Sequence, residues 1–348
     1  MQEPPDVHLV RGVERVREVE LLAELTGGRV GLDGVLADLN RTARVARVPG
    51  LAVEWGFRWQ ADDESTRRWW PQGITTSADR GPEETYADRR VLVTSAYSKH
   101  MDGERRGSRI SVVDLTDPRD IRYRHVLLVE PYVDDGRVDV RPVHVHAGGI
   151  VWHGDHLHVA GTRRGFCTFR LDDVLRVPRD SGLEVFGYRY VLPMRFGYDA
   201  VTAEGREQLR YSFLSLDRST EPHELVAGEY GRDEMTTRLA RYEIDPTTGL
   251  LRDEEDGAAR PLLVDERGIG HMQGAVVVRG RWYLTTSAGR YRLGSVWSGT
   301  PGELRRHRFA VPVGPEDLTY WPSTDMLWSL TEYPGHRYVF AMRRAWFG

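Results

Sequence analysis

A short pattern returns along this chain and limits what it can fold into more than any other feature: a polar residue, a glycine, then an apolar run. It reads "WWPQGITTSAD" at 69–79, "VHAGGIVWHGD" at 145–155, "HMQGAVVVRGR" at 271–281 and "GPEDLTYWPST" at 314–324. The stretch "LRYSFLSLDRS" at 209–219 fills the same slot without the glycine. Taking Gln72, Gly148, Tyr211, Gln273 and Glu316 as equivalents, the intervals are 76, 63, 62 and 43 residues. Each start is followed by a second strand-like run ending in small residues: "LVTSAYSK", "HVAGTRRG", "LVAGEYGR", "YLTTSAGR" and "LWSLTEYPG". Third strands follow as "SRISVVDL", "FCTFRLDDV", "TRLARYEID", "ELRRHRFAV" and "HRYVFAMRR". Units of three or four strands, at roughly 40–60 residues each, describe an all-β fold, a five-bladed β-propeller.

The last repeat runs out of chain after its third strand. "LAVEWGFRW" (51–59) is therefore expected to return as the closing strand of that blade, so that no sheet edge is left open. On this reading residues 51–348 form the propeller and residues 1–50 a short N-terminal helical extension. Within the extension, Leu32, Val35, Leu36 and Leu39 fall at i, i+3, i+4 and i+7, and "VERVREVELLAEL" interleaves charged and apolar positions. These helices are expected to pack on a propeller face or to cover the closing strand.

The motifs "PQGIT", "HAGGI" and "GPEDL", with "LWSLTE" after the last, resemble those of five-bladed propeller proteins from high-GC bacteria, over roughly residues 55–345. The resemblance implies the fold and carries no activity across.

Composition narrows the partners. A formal charge of −4 and a pI near 6.3 speak against nucleic acid or an anionic membrane surface. Lys99 is the only lysine among 48 Lys and Arg residues, a skew that reads as coding bias. The single cysteine, Cys167, rules out an internal disulfide and is expected to be a small buried strand residue. No apolar run approaches the ~18 residues of a membrane span, and the N-terminus lacks a signal-like apolar core, so a cytoplasmic protein is expected. There is no P-loop, no dinucleotide fingerprint and no G-x-S-x-G elbow, so no nucleotide or other cofactor is expected.

In a propeller, residues before the first strand of each blade and after its second share one mouth of the central channel. That geometry divides the five histidines of residues 143–161. His144 and His146 precede a channel-lining strand, while His153 and His156 flank its far turn and His158 packs between blades. The inner tier of the mouth then holds Gln72, His146, Tyr211, His271, Gln273 and Glu316, with Asp317 turned away to cap a loop or pair with an arginine. The outer tier holds Tyr97, Lys99, Arg163, Glu229, Tyr230, Arg232, Arg290, Tyr291, Glu332 and Tyr333. Convergence of carboxylates, imidazoles, phenols and cations in one concave place is the pattern of a small-molecule site.

The leading expectation is an enzyme without nucleotide cofactor, acting on a partly apolar or aromatic metabolite as a cyclase, lyase or isomerase. Glu316, His146, His271 and Tyr211 would move protons, and the other named residues would bind substrate. Two alternatives stay open. One is a metal-dependent hydrolase such as a lactonase, with His144, His146 and His271 as ligands of a divalent metal. The other is a non-catalytic propeller that binds a ligand or partner.

Overall fold

The computed structural model describes residues 7–348. Its strands pair into five four-stranded antiparallel units. The first comprises Trp69–Thr76, Val91–Ser98, Ser108–Asp114 and Arg122–Asp134. The second comprises Ile150–His153, His156–Ala160, Phe166–Arg170 and Tyr190–Thr202. The third runs Phe213–Asp217, Glu224–Gly228, Leu239–Glu243 and Leu263–Asp265. The fourth runs Met272–Val278, Arg281–Thr286, Gly294–Gly299 and Arg305–Val311. In the fifth, Pro315–Trp321, Met326–Thr331 and Tyr338–Arg343 are joined by Val53–Arg58 from the start of the chain.

The first strand of each unit is its inner strand, and these contact one another in chain order, the fifth returning to the first. The architecture is an all-β propeller. Its first two units are fused at the rim, where Val191, Leu192 and Pro193 pair in parallel with Leu127, Leu128 and Val129.

The recurring glycines have a steric cause at the centre of this ring. A Cβ on Gly148 would lie 2.0 Å from the Ser212 carbonyl oxygen, and one on Gly149 would lie 2.0 Å from the Leu214 nitrogen. A Cβ on Gly274 would meet Asp317 Cα at 2.5 Å. Neighbouring inner strands thus touch backbone to backbone, which only glycine permits. The same strands slip register between Pro71 and Ile74, between Met272 and Gly274, and between Pro315 and Leu318. Bulges re-aim side chains, and these hold Gln72, Gln273, Glu316 and Asp317.

Two details differ from the sequence reading. "ELRRHRFAV" supplies the fourth strand of its unit, and the third is Gly294–Gly299, a Gly/Ser-rich run with a weak strand signal. Among the described residues Asp317 neither caps a loop nor pairs with an arginine. It is fully buried, and its Oδ2 accepts the backbone N–H of Ile74 at 3.1 Å and of Ile150 at 3.3 Å, tying the inner strands of three units together. The bulge makes this possible by releasing the strict alternation of adjacent side chains.

The described part of the N-terminal segment opens with a strand, Val7–Arg11, paired with Tyr190–Thr202 of the second unit, so the extension is not helical throughout. Helix Val16–Thr26 buries Val19, Leu22 and Ala23 and stops at Gly27, whose φ of 86° suits glycine. Helix Gly31–Leu36 sets Leu32, Val35 and Leu36 into the core shared by the first two units. Both helices therefore pack on outer strands rather than over the channel. Among the described residues no helix is long and apolar enough to cross a membrane.

Candidate functional site

At the end of the channel where inner strands begin and second strands finish, a compact group assembles from the first, second, fourth and fifth units. Gln72, buried on its bulge, directs Nε2 to Glu332 Oε2 at 3.4 Å and to the Pro71 carbonyl at 2.8 Å. The rings of Tyr97 and His146 lie 4.5 Å apart and tilted by 33°. Lys99 places its ammonium 3.1 Å from the centre of the Trp70 ring, a cation–π contact. Trp70 meets Tyr333 edge to face at 6.0 Å, and the Arg290 guanidinium covers Tyr333 at 5.4 Å.

Two carboxyls belong to this group, and neither has an ion pair among the described residues within 4.0 Å. Burial, reinforced by Glu332 and Asp317, holds the Glu316 carboxyl well above the ordinary range and so favours its protonated form. Glu332 is also raised by burial, but hydrogen bonds from Tyr333 and Gln72 and the charges of Lys99 and Arg337 pull against that rise. The two carboxyls are therefore unlike, with Glu332 the easier to ionise.

The surrounding groups follow from the same surroundings. Burial and then the charges of Glu332 and Glu316 raise the Tyr97 phenol, and burial pushes Tyr333 up to about 12. Burial lowers the Lys99 ammonium, although Glu332 opposes it. His146 has substantial accessible area yet is crowded enough that desolvation, followed by Lys99, lowers its imidazolium.

The remaining candidates lie elsewhere. Tyr211 is sealed in the core of the second and third units, its hydroxyl 2.6 Å from that of Tyr242, and does not reach the mouth. Glu229 is fully buried. Burial raises its carboxyl, but Arg238 at 2.9 Å and the backbone N–H groups of Arg210 and Arg238 outweigh this and hold it low. It is an internal ion-pair partner rather than a substrate contact. His271 is exposed and bonds Tyr230 across 3.3 Å, while Gln273 beside it is half-buried. Arg163 and Arg232 are exposed, and Tyr291 is 92% exposed.

His144 lines a separate cleft beneath the N-terminal segment, with Glu14, Arg15 and Glu130. His144, His146 and His271 are not gathered, and among the described residues no three His, Cys, Asp or Glu side chains form a metal-ligand set. His153 and His156 face each other across the far turn, and His158 is buried with Nδ1 2.9 Å from Thr168 Oγ1.

Two residues of the site carried no repeat signal. Trp70 sits immediately before "PQG", a position that could have marked it. Arg337 is fully buried, donates from Nε to the Glu332 carbonyl at 2.8 Å, and is held down to about 10 by burial and Arg109.

No family model matches this chain. It is 26% identical over 118 residues to a putative esterase of Synechocystis, covering 33% of this chain and 68% of that one. A gluconolactonase of Xanthomonas campestris aligns over 88% of both chains at 13% identity, with a TM-score of 0.37. A glycoside hydrolase of Xanthomonas citri, solved with xylotriose, covers 94% of this chain and 92% of its own at 12% identity and a TM-score of 0.35.

Proposed function

We propose that this five-bladed propeller is a small-molecule hydrolase that cleaves a carboxylic ester or lactone at the channel mouth. The observation that carries the reading is the pair of unlike carboxyls, Glu316 raised the further by burial and Glu332 more readily ionised, with neither in an ion pair among the described residues. General acid–base hydrolysis needs one group of each kind, poised in one site. The putative esterase likeness favours hydrolysis over cyclisation, elimination or isomerisation.

In the proposed reaction Glu332 takes a proton from water as the oxygen adds to the acyl carbon. The tetrahedral oxyanion is met by the Lys99 ammonium and the Tyr97 hydroxyl, donors fixed before substrate arrives. Glu316 then delivers its proton to the departing alkoxy oxygen as the C–O bond breaks. Solvent restores both carboxyls. Trp70 and Tyr333 supply the apolar wall, and Arg290 suits an anionic end of the substrate. The test is a panel of esters, lactones and aryl glycosides analysed by product mass. Hydrolysis adds one water to an ester or lactone; products of unchanged mass, or turnover confined to glycosides, contradict the reading.

A further inference from the structure

A second cavity, of about 240 Å3, opens away from the channel beside the first unit and has no part in the proposed reaction. Its walls carry four guanidinium groups, from Arg41, Arg109, Arg124 and Arg189, together with His125 and Tyr188. Two carboxylates face these cations. Asp63 binds Arg41 at 3.0 Å and Arg109 at 3.1 Å, and Asp38 binds Arg124 at 3.1 Å and Arg189 at 3.9 Å.

The charge therefore does not balance. His125 is neutral, because burial and Arg109 hold it down to about 4, and its ring nitrogens are 2.9 Å from Ser111 Oγ and from Asp63 Oδ1. Burial raises the Asp63 carboxyl, but the His125 ring, Arg109 and the Tyr123 hydroxyl at 2.6 Å outweigh it and hold the carboxyl low. Four cations against two anions leave an excess of two positive charges around one small space.

The donors are also under-used. Arg109 is only 7% exposed, yet its Nε has no hydrogen-bond partner among the described residues. A buried, unpaired guanidinium donor is costly unless something fills its valence. Among the described residues the Arg189 side chain has only the long contact to Asp38. At ~30 Å3 per water, the cavity has room for a compact oxyanion and several waters.

We propose that this arginine-lined cavity binds a small multivalent oxyanion, a phosphate or a polycarboxylate. Guanidinium forks match the paired oxygens of both groups. The Ser111–His125–Asp63 chain beneath has the hydrogen-bond order of a catalytic relay, but Ser111 is 5% exposed and outside the cavity lining, so the chain serves to fix the floor.

Calorimetric titration in a buffer free of phosphate and carboxylate tests this, with inorganic phosphate in one arm, citrate in the other and chloride at equal ionic strength as control. Saturable binding is expected, and the preferred arm identifies the ligand class. Arg189→Ala removes the most exposed of the four arginines and should weaken binding about tenfold or more, as loss of a charge-assisted contact does. Arg189→Lys should recover part of it. Glu316→Gln should leave this binding unchanged, so the outcome stands apart from that of the hydrolase proposal. No saturable binding in either arm, or equal binding by Arg189→Ala and the natural chain, overturns the proposal.

Discussion

Gln72 Nε2 and Glu332 Oε2 lie 3.4 Å apart, joining residues 260 positions distant in sequence across the seam between the first and last units. This amide is one of the groups that offset the effect of burial on Glu332. Removing it with Gln72→Leu leaves the carboxylate less stabilised, so its pKa rises. If Glu332 is the base, the acidic limb of the kcat/KM profile should move to higher pH. An unmoved limb would take Glu332 out of that role.

Lys99 acts on His146 through its charge, which lowers the imidazolium beyond the effect of burial. Lys99→Met keeps an apolar stem against Trp70 and deletes the charge. The pKa of His146, followed by NMR of the ring protons, should rise. A fall, or no change, would mean that the two side chains do not share the mouth.

The pH dependence of stability follows from the raised carboxyl of Glu316. Below its ordinary value of 4.5 the group is protonated in both folded and unfolded chains and costs nothing. As pH rises through 4.5 the unfolded chain ionises freely while the folded one resists, so stability falls up to the folded pKa. Glu316→Gln lacks this loss. Urea denaturation should therefore show the variant gaining on the natural chain as pH rises from 4 to 7, and a margin independent of pH would refute the protonated assignment.

Glu229 supplies a contrast, since its carboxylate neutralises Arg238 in a sealed place. Glu229→Ala leaves that guanidinium uncompensated and should cost about 3–5 kcal/mol of stability. Where the variant still folds, KM should be unchanged. A raised KM with normal stability would return Glu229 to the substrate site.

The repeat was legible because steric need wrote it. Glycine at 73, 148, 149 and 274 is required where inner strands touch, and the polar residues beside Gly73 and Gly274 sit on bulges. Spacing alone placed Gln72, His146, Tyr97, Lys99, Glu316, Glu332 and Tyr333 near one mouth. Tyr211 was misplaced because its unit lacks the glycine, so the equivalence rested on strand order alone and landed in the core. Glu229 matched Glu332 in repeat position, but Arg238 comes from a later strand that repeat alignment does not weigh. Asp317 escaped because a two-residue alternation fails at a bulge. The arginine cavity joins Arg41, Arg109, Arg124 and Arg189 from four segments, and in a chain this rich in arginine no local signal separates them.

The central claim is that Glu316 delivers the proton that completes cleavage. Its most direct test is kcat/KM of Glu316→Gln on whichever ester or lactone the natural chain turns over, with the melting temperature measured on the same sample. The expected result is a loss of about 10²–10⁴-fold, the worth of a general acid, with a melting temperature at or above that of the natural chain. Turnover within a few-fold of the natural chain, from a variant that melts normally, would contradict the account.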